Sequence, residues 1–552
     1  DGDQVILAVI GSSWGEHSRP LHRLFSFDKR DGKILWTSSP GGAVADLNTY
    51  STPVVTVAGG QRLVIGGFAD GGVYALKART GEKVWGFQLS KRGLNVSPVV
   101  RGDTVYIAHS EENIDEGVLG RTVGLDAATG KEKWRSPHSV GYASPLVHGD
   151  VLYVVDNSAN LFALDADSGE EKWKYSLGTV GKGSPVWADG KIYATEVNGN
   201  FLIVKPGAEG ATPLDSDHIT MPEGRFAEIY GSPAVAYGRV YFATENGLFC
   251  LGDKSAPFRA DAGEPVMLQE EAPAADAAPA WLQVVPAEVL AKSGDSVSFE
   301  LRAFDAKGRP LGTVDGEWSQ TGLAGRLEGS TLWTETGAAN RVGKVVAKAG
   351  GLEASARVRV IGPLPFEEDF EGIEEGKAPT TWIGVGIKAK VKQIEGVGKV
   401  LVKDRPPVGV PRAAFYVGTP DMSGYTVQAD VLGTQQGRRR PDMGLIDSGY
   451  ILELQGNHQR LQIRSWTAEL RMAETLDFAW DPDTWYTMKM RVDQQPGKAV
   501  VLGKVWKRGE AEPKDWTIRA EDPHPVLSGS PGIQGYSPVD IYFDNLKVTV
   551  SQ

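Results

Sequence analysis

Apolar residues along this chain come in short runs broken by Gly, Pro, Asp and Ser, which predicts many short β-strands joined by tight turns. One triplet type recurs: Leu63-Val64-Ile65, Val105-Tyr106-Ile107, Leu152-Tyr153-Val154, Ile192-Tyr193-Ala194 and Val240-Tyr241-Phe242. A Ser/Thr-Pro pair precedes each of them, at Thr52-Pro53, Ser97-Pro98, Ser144-Pro145, Ser184-Pro185 and Ser232-Pro233, spaced 45, 47, 40 and 48 residues apart. Between these lies a turn that ends on tryptophan. Its copies are Asp28 to Trp36, Asp126 to Trp134 and Asp165 to Trp173, with Lys77 to Trp85 as a variant that begins on Lys. Each unit therefore reads as four short strands, with the Gly of Asp-x-x-x-Gly free to adopt positive φ in a hairpin turn.

A four-stranded unit of this length is one blade of a β-propeller, and blades must stack because none can bury both faces alone. Trp36, Trp85, Trp134 and Trp173 are then structural wedges between blades. The Ala-Leu-Asp-Ala-x-Thr-Gly-Lys-x-x-Trp signature resembles the PQQ-like propeller superfamily over residues 1–253. That superfamily holds quinoprotein alcohol dehydrogenases and the noncatalytic propeller lipoprotein of the outer-membrane β-barrel assembly machine, and the resemblance implies eight blades. About six units are countable here, two of them partial. The first lacks its Ser-Pro strand, and the last, Ser232 to Leu251, lacks a Trp strand. The expectation is an incomplete ring with N-terminal blades absent from this sequence. The fifth unit carries Pro206-Gly207 where a Trp hairpin is expected.

Beyond the repeat, residues 254–280 are rich in Ala, Pro and acid and read as an extended, self-repelling linker. Residues 281–362 alternate in short strands, and Val285-Pro286-Ala287-Glu288 with Ser293-Gly294-Asp295-Ser296-Val297 resembles bacterial immunoglobulin-like modules. Residues 363–552 open on Phe366-Glu367-Glu368-Asp369-Phe370 and close on Asp540 to Val548. These ends resemble concanavalin-A-like or laminin-G-like jelly rolls, whose first and last strands pair. The fold class expected is all-β throughout.

Composition narrows the function. With 58 Lys and Arg against 70 Asp and Glu, the net charge of −12 disfavours nucleic-acid binding. No apolar run is long enough to cross a bilayer as a helix. The single cysteine, Cys250, excludes an intrachain disulfide and reads as a small buried hydrophobe in an apolar strand. It also excludes the adjacent cysteine pair carried by most quinoprotein dehydrogenases. PQQ is therefore not expected, and neither is any other obligatory cofactor. No His pair has metal spacing, and no phosphate loop or nucleophile elbow is present.

Candidate sites are of three kinds. The residues two before each Ser/Thr-Pro, Tyr50, Asn95, Tyr142, Lys182 and Tyr230, occupy equivalent positions and would converge at a channel mouth to take a peptide, sugar or small polar ligand. In the jelly roll, Trp382, Tyr450 and Trp466 could stack sugars, while Glu453-Leu454-Gln455 offers one acid where a glycosidase needs a pair. Glu368, Asp369 and Asp544, at the paired ends, could hold a structural calcium, as in laminin-G-like folds. Arg438-Arg439-Arg440 is a basic loop on an acidic protein. The reading is a noncatalytic scaffold or binding protein, periplasmic, outer-membrane-associated or extracellular. Its partners would be proteins of an envelope complex and polysaccharide. The alternatives are a periplasmic PQQ-dependent oxidoreductase and a polysaccharide-processing protein with a targeting jelly roll.

Overall fold

The computed structural model describes residues 1–45, 49–115, 117–257, 268–405, 412–465 and 471–551. The chain is all-β and divides into two compact units. The first holds Asp1–Ile10, Leu21–Gln283 and Arg302–Val314, and the second holds Gly11–Pro20, Val284–Leu301 and Asp315–Gln552. Among the described residues, no helix is long and apolar enough to cross a membrane.

The first unit contains six consecutive antiparallel sheets with strands in sequence order. The first has three strands, Gln4–Gly11, Leu21–Asp28 and Ile34–Ser38. Four four-stranded sheets follow, and the last again has three strands, Ala234–Ala236, Arg239–Thr244 and Gly247–Leu251. Each tryptophan of the repeat lies opposite a small residue on the neighbouring strand, with a register shift just beyond: Trp36 on Ser26, Trp85 on Ala75, Trp134 on Gly124 and Trp173 on Ala163. The small partner makes room for the ring, and the bulge re-aims the strand.

The indoles reach into the following sheet. Trp36 Nε1 donates to the Ala78 carbonyl at 3.1 Å, Trp85 to Ala127 at 2.9 Å and Trp134 to Ala166 at 3.1 Å. A Cβ added to the turn glycine beside each acceptor would lie about 2.5 Å from the ring: Gly81 on Trp36, Gly130 on Trp85 and Gly169 on Trp134. Only glycine lets the turn press on the indole, and its positive φ is used at the same time. All four tryptophans are buried. The fifth sheet has an outer strand, Ala211–His218, without tryptophan, yet its Gly207 carbonyl still accepts from Trp173 Nε1 at 2.9 Å. The turn carboxylates are consumed locally: Asp126 Oδ1 accepts from the N–H groups of Ala128 and Thr129, and Asp165 Oδ1 from those of Asp167 and Ser168.

Two expectations are corrected in this unit. Cys250 is exposed. In the last sheet Phe242 pairs with Phe249 and stacks on Phe201 of the sheet before, so the alternate residues Leu248 and Cys250 point the other way. The described part of the acidic segment is held rather than self-repelling. Arg62 donates to the Leu268 carbonyl, Arg79 pairs with Glu270, and Arg309 donates to the Ala272 carbonyl.

In the second unit, Glu288–Lys292 runs parallel to Leu352–Ile361, which pairs in turn with Arg341–Ala349. Residues from Phe366 onward form two larger sheets of eight and six strands around one core. The strand Phe366–Glu368 pairs with Ile541–Val550, so the ends of this segment meet. Arg359 joins the two parts: fully buried, it donates to the carbonyls of Thr381, Val417 and Gly418. Burial pushes its guanidinium down to about 10.

Candidate functional site

The Ser/Thr-Pro pairs lie just ahead of the first strand of each sheet from the second to the sixth, and the structure gives these hydroxyls a shared role. The N–H of Thr52 donates to Ser97 Oγ at 2.8 Å, that of Ser97 to Ser144 at 3.2 Å, that of Ser144 to Ser184 at 2.8 Å and that of Ser184 to Ser232 at 2.8 Å. Proline follows each one, so the backbone cannot continue into a helix and the N–H is presented to the next sheet. Sequence reasoning used these pairs only as markers of the repeat. The signal for the ladder was present as a hydroxyl residue at every fixed position.

This ladder sets where the residues two positions earlier lie. The Tyr50 and Tyr142 rings meet at 6.4 Å between centroids, tilted by 40°. One whole sheet lies between theirs in sequence, so they can meet only by pointing inward. Lys182 Nζ sits 3.6 Å from the centre of the Tyr142 ring, a close cation–π contact. Partial burial lowers the Lys182 pKa. Neither phenol tip nor the ammonium has a hydrogen bond or carboxylate partner among the described residues, and both tyrosines are exposed. Asn95 Oδ1 is buried without a partner. Tyr230, also exposed, is engaged by Glu228, whose hydrogen bond raises the phenol's pKa. Three of the five positions thus form one cluster, of two phenols and an ammonium.

The glycan candidates fare differently. Trp382 and Tyr450 are fully buried in the core of the two-sheet segment, where no sugar can reach them. The Tyr450 hydroxyl donates to Asp522 at 2.8 Å and accepts from the Val526 N–H at 3.0 Å. Tyr450 occupies the inner face of the strand Tyr450–Gln455, and Trp382 lies in a bend ahead of Ile383. Trp466 lies outside the described residues. The outward face of the six-stranded sheet instead carries a hydrogen-bonded row that sequence reasoning missed. The Gln534 side chain donates to Glu453, Arg464 donates to Glu453 at 3.3 Å, and Gln462 donates to Thr475 at 3.0 Å. Arg464 Nη1 is buried without a partner. Burial and the neighbouring Glu453 push Asp442 up to about 6.

The calcium candidates do not come together as a ligand set. Asp544 faces Arg508 at 3.1 Å, and Arg508 also reaches Asp430 at 3.2 Å. Glu368 accepts from the Phe370 N–H at 2.9 Å and Asp369 from the Glu371 N–H at 3.1 Å. Among the described residues no group of three or more His, Cys, Asp or Glu is arranged to hold a metal. In the arginine triplet, Arg440 is structural, donating to the Trp480 carbonyl at 2.9 Å, while Arg438 and Arg439 are exposed.

The repeat is similar to known proteins of more than one kind. Residues 21–277 match the family of outer membrane protein assembly factor BamB, as two overlapping stretches, 21–175 and 69–277. Over 215 residues the chain is 25% identical to the BamB of Legionella pneumophila, covering 37% of this chain and 50% of that protein. A quinoprotein ethanol dehydrogenase of Pseudomonas aeruginosa is 27% identical over 224 residues, covering 36% of this chain and 34% of the relative. Among solved structures, BamB from Moraxella catarrhalis aligns at 14% identity with a TM-score of 0.33, covering 64% of this chain and 98% of that one. The chain spans half or less of the length of the BamB relatives it matches.

Proposed function

We propose that this protein is a noncatalytic binding platform of the bacterial envelope, and that the BamB-like first unit engages a protein of an outer-membrane assembly complex. The observation that carries the reading is the Tyr50–Tyr142–Lys182 cluster, which presents unsatisfied polar tips on aromatic bodies. Exposed tyrosines with an adjacent cation are the kind of surface that anchors protein partners. The BamB match supports envelope localisation and a protein partner, and no cofactor enters this reading. The test is a photo-crosslinking side chain at Tyr142, with the same side chain at Lys33 as control, in native envelopes. Crosslinks to assembly-machine subunits from position 142 alone are expected. Crosslinks equal at both positions overturn the reading. The quinoprotein relative keeps a dehydrogenase as the rival, distinguished by quinone absorbance and alcohol oxidation after reconstitution with PQQ and calcium.

For the second unit we propose a jelly-roll head that binds glycan at the half-buried Gln455 and Gln462 on the outward face of the six-stranded sheet. The support is a chain of side-chain hydrogen bonds in which Gln534 and Arg464 donate to the buried Glu453, and Gln455 donates to Glu453 and to Gln462. A glycan array should lose signal in Gln462→Ala. An array blank for the unaltered protein refutes this role.

A further inference from the structure

The outward face of the eight-stranded sheet in the second unit carries a pocket that neither reading above uses. Four adjacent strands floor it, in the order Ile541–Val550, Tyr425–Gly433, Tyr486–Gln495 and Lys498–Lys507. Tyr425, Val427, Met488, Met490 and Val501 belong to the core, so the residues between them point outward. Thr549, Thr426 and Arg491 stand side by side across three of these strands. Gln428, Lys489 and Lys504 form the next row.

The connection that follows Lys507 folds back over this face. Its Glu512 accepts from Lys489 at 3.0 Å and from Lys504 at 3.1 Å, and the Pro513 carbonyl accepts from Lys504 at 2.7 Å. These contacts bring the Trp516 ring beside two cations, with Lys504 Nζ 4.9 Å and the Arg491 guanidinium 5.4 Å from its centre. The pocket so formed has a volume of about 500 Å³, within the roughly 300–1,000 Å³ of small-molecule sites.

Charge and shape narrow the ligand. Lys489, Arg491 and Lys504 line the pocket against one lining carboxylate, Glu512. Asp493, which pairs with Arg491 at 2.8 Å, brings the carboxylates to two and leaves one positive charge in excess. On a chain of net charge −12 that excess is local. Lys504 is buried and Lys489, Arg491 and Trp516 are half-buried, so salt screens these charges less than surface ones. Two strands from Arg491, about 10 Å across the sheet, the exposed Thr549 offers a hydroxyl. A simple anion has no use for the indole, and a neutral sugar leaves the extra cation uncompensated. A uronic acid residue meets all three demands, with one carboxylate, a C–H face and ring hydroxyls.

We infer that this pocket binds a uronate residue of an acidic polysaccharide, with its carboxylate at Lys489 and Arg491, its C–H face on Trp516 and a ring hydroxyl on Thr549. The inference does not rest on glycan binding at Gln455 and Gln462, which lie on the other sheet.

The test is isothermal titration calorimetry of the full chain with trimers of galacturonate, glucuronate and mannuronate, each beside its neutral counterpart. At least one uronate trimer should bind, about tenfold or more tighter than its counterpart, as for a charge-assisted contact. Added sodium chloride should weaken that binding. Trp516→Ala and Lys489→Gln should each weaken it by about tenfold or more. Thr549 is exposed, so its variants fold: Thr549→Glu should cancel the excess charge and cost a similar factor, and Thr549→Lys should tighten binding. Gln462→Ala should leave the uronate affinity unchanged. Affinity lost in Gln462→Ala but kept in Trp516→Ala places the sugar on the other sheet, overturning this inference and leaving the glycan reading of that sheet standing. Three uronate trimers that do not bind, neutral trimers that bind equally well, or indifference to Thr549→Glu overturn it as well.

Discussion

Gly32 and Gly169 form a matched pair that isolates what the indole contact contributes. Both occupy the last position of the same turn, at φ +73° and +75°. Substituting Ala at either therefore imposes the same left-handed strain, about 1–2 kcal/mol. They differ in what the new methyl meets. At Gly32 it meets open space, and at Gly169 it lies 2.4 Å from the Trp134 ring and 2.7 Å from its next atom. That ring cannot retreat easily: Trp134 is buried, its Nε1 is held by the Ala166 carbonyl, and Tyr106 packs on it at 5.9 Å. Overpacking of this kind costs a further 1–3 kcal/mol, roughly. Gly32→Ala should therefore destabilise by about 1–2 kcal/mol and Gly169→Ala by about 2–5. The cycle closes with Trp134→Ala, expected to cost about 3–5 kcal/mol alone. In that background Gly169→Ala should fall to the Gly32 value, because the methyl now enters the space the indole left. The assay is denaturant unfolding of the four variants followed by far-ultraviolet circular dichroism. Equal costs at Gly32 and Gly169, or a Gly169→Ala cost unchanged by removal of Trp134, would refute the account of the indole as the wedge between sheets.

Arg359→Met should destabilise the second unit by about 3–5 kcal/mol relative to the first, because three carbonyls lose a buried charged donor that nothing replaces. Differential scanning calorimetry with separate transitions for the two units would show it, and a shift confined to the first unit would refute it. His22 is buried beside Phe68, with its Nδ1 accepting from the Ala69 N–H at 3.1 Å, and desolvation lowers its pKa to about 4. The unfolded chain takes up that proton near 6.5 while the folded one does not, so stability is full above pH 6.5 and declines as pH falls toward 4. His22 should contribute a loss of up to about 3 kcal/mol, which His22→Gln removes while the like contribution of buried His109, also lowered to about 4, remains. A His22 resonance titrating near 6.5 in the folded protein would contradict this.

The fold was legible where the sequence repeats and obscure where it does not. Periodic Trp, Gly and Ser/Thr-Pro positions revealed the blades because each residue type answers a backbone or packing demand that recurs at every junction. Lys77 in place of Asp did not hide its copy, since the Ala78 carbonyl and Gly81 kept the seat. The closeness of Tyr50, Tyr142 and Lys182 was also legible, because equivalent positions in a repeat take equivalent places in their sheets. What periodicity could not reveal was which neighbours take the side chains. Tyr230 is diverted by Glu228, and Asp544 by Arg508. Both are single events outside the repeat.

The buried aromatics show why the second unit resisted reading. A tryptophan or tyrosine in a lone strand has two faces to choose from, and alternation says only that its neighbours take the other one. Tyr450 took the core and the polar residues between the inward positions of its sheet became the outward row, while Trp382 is buried from a bend, where alternation offers no guide at all. In the first unit the repeat removes this ambiguity, because a wrong choice would have to recur at every copy.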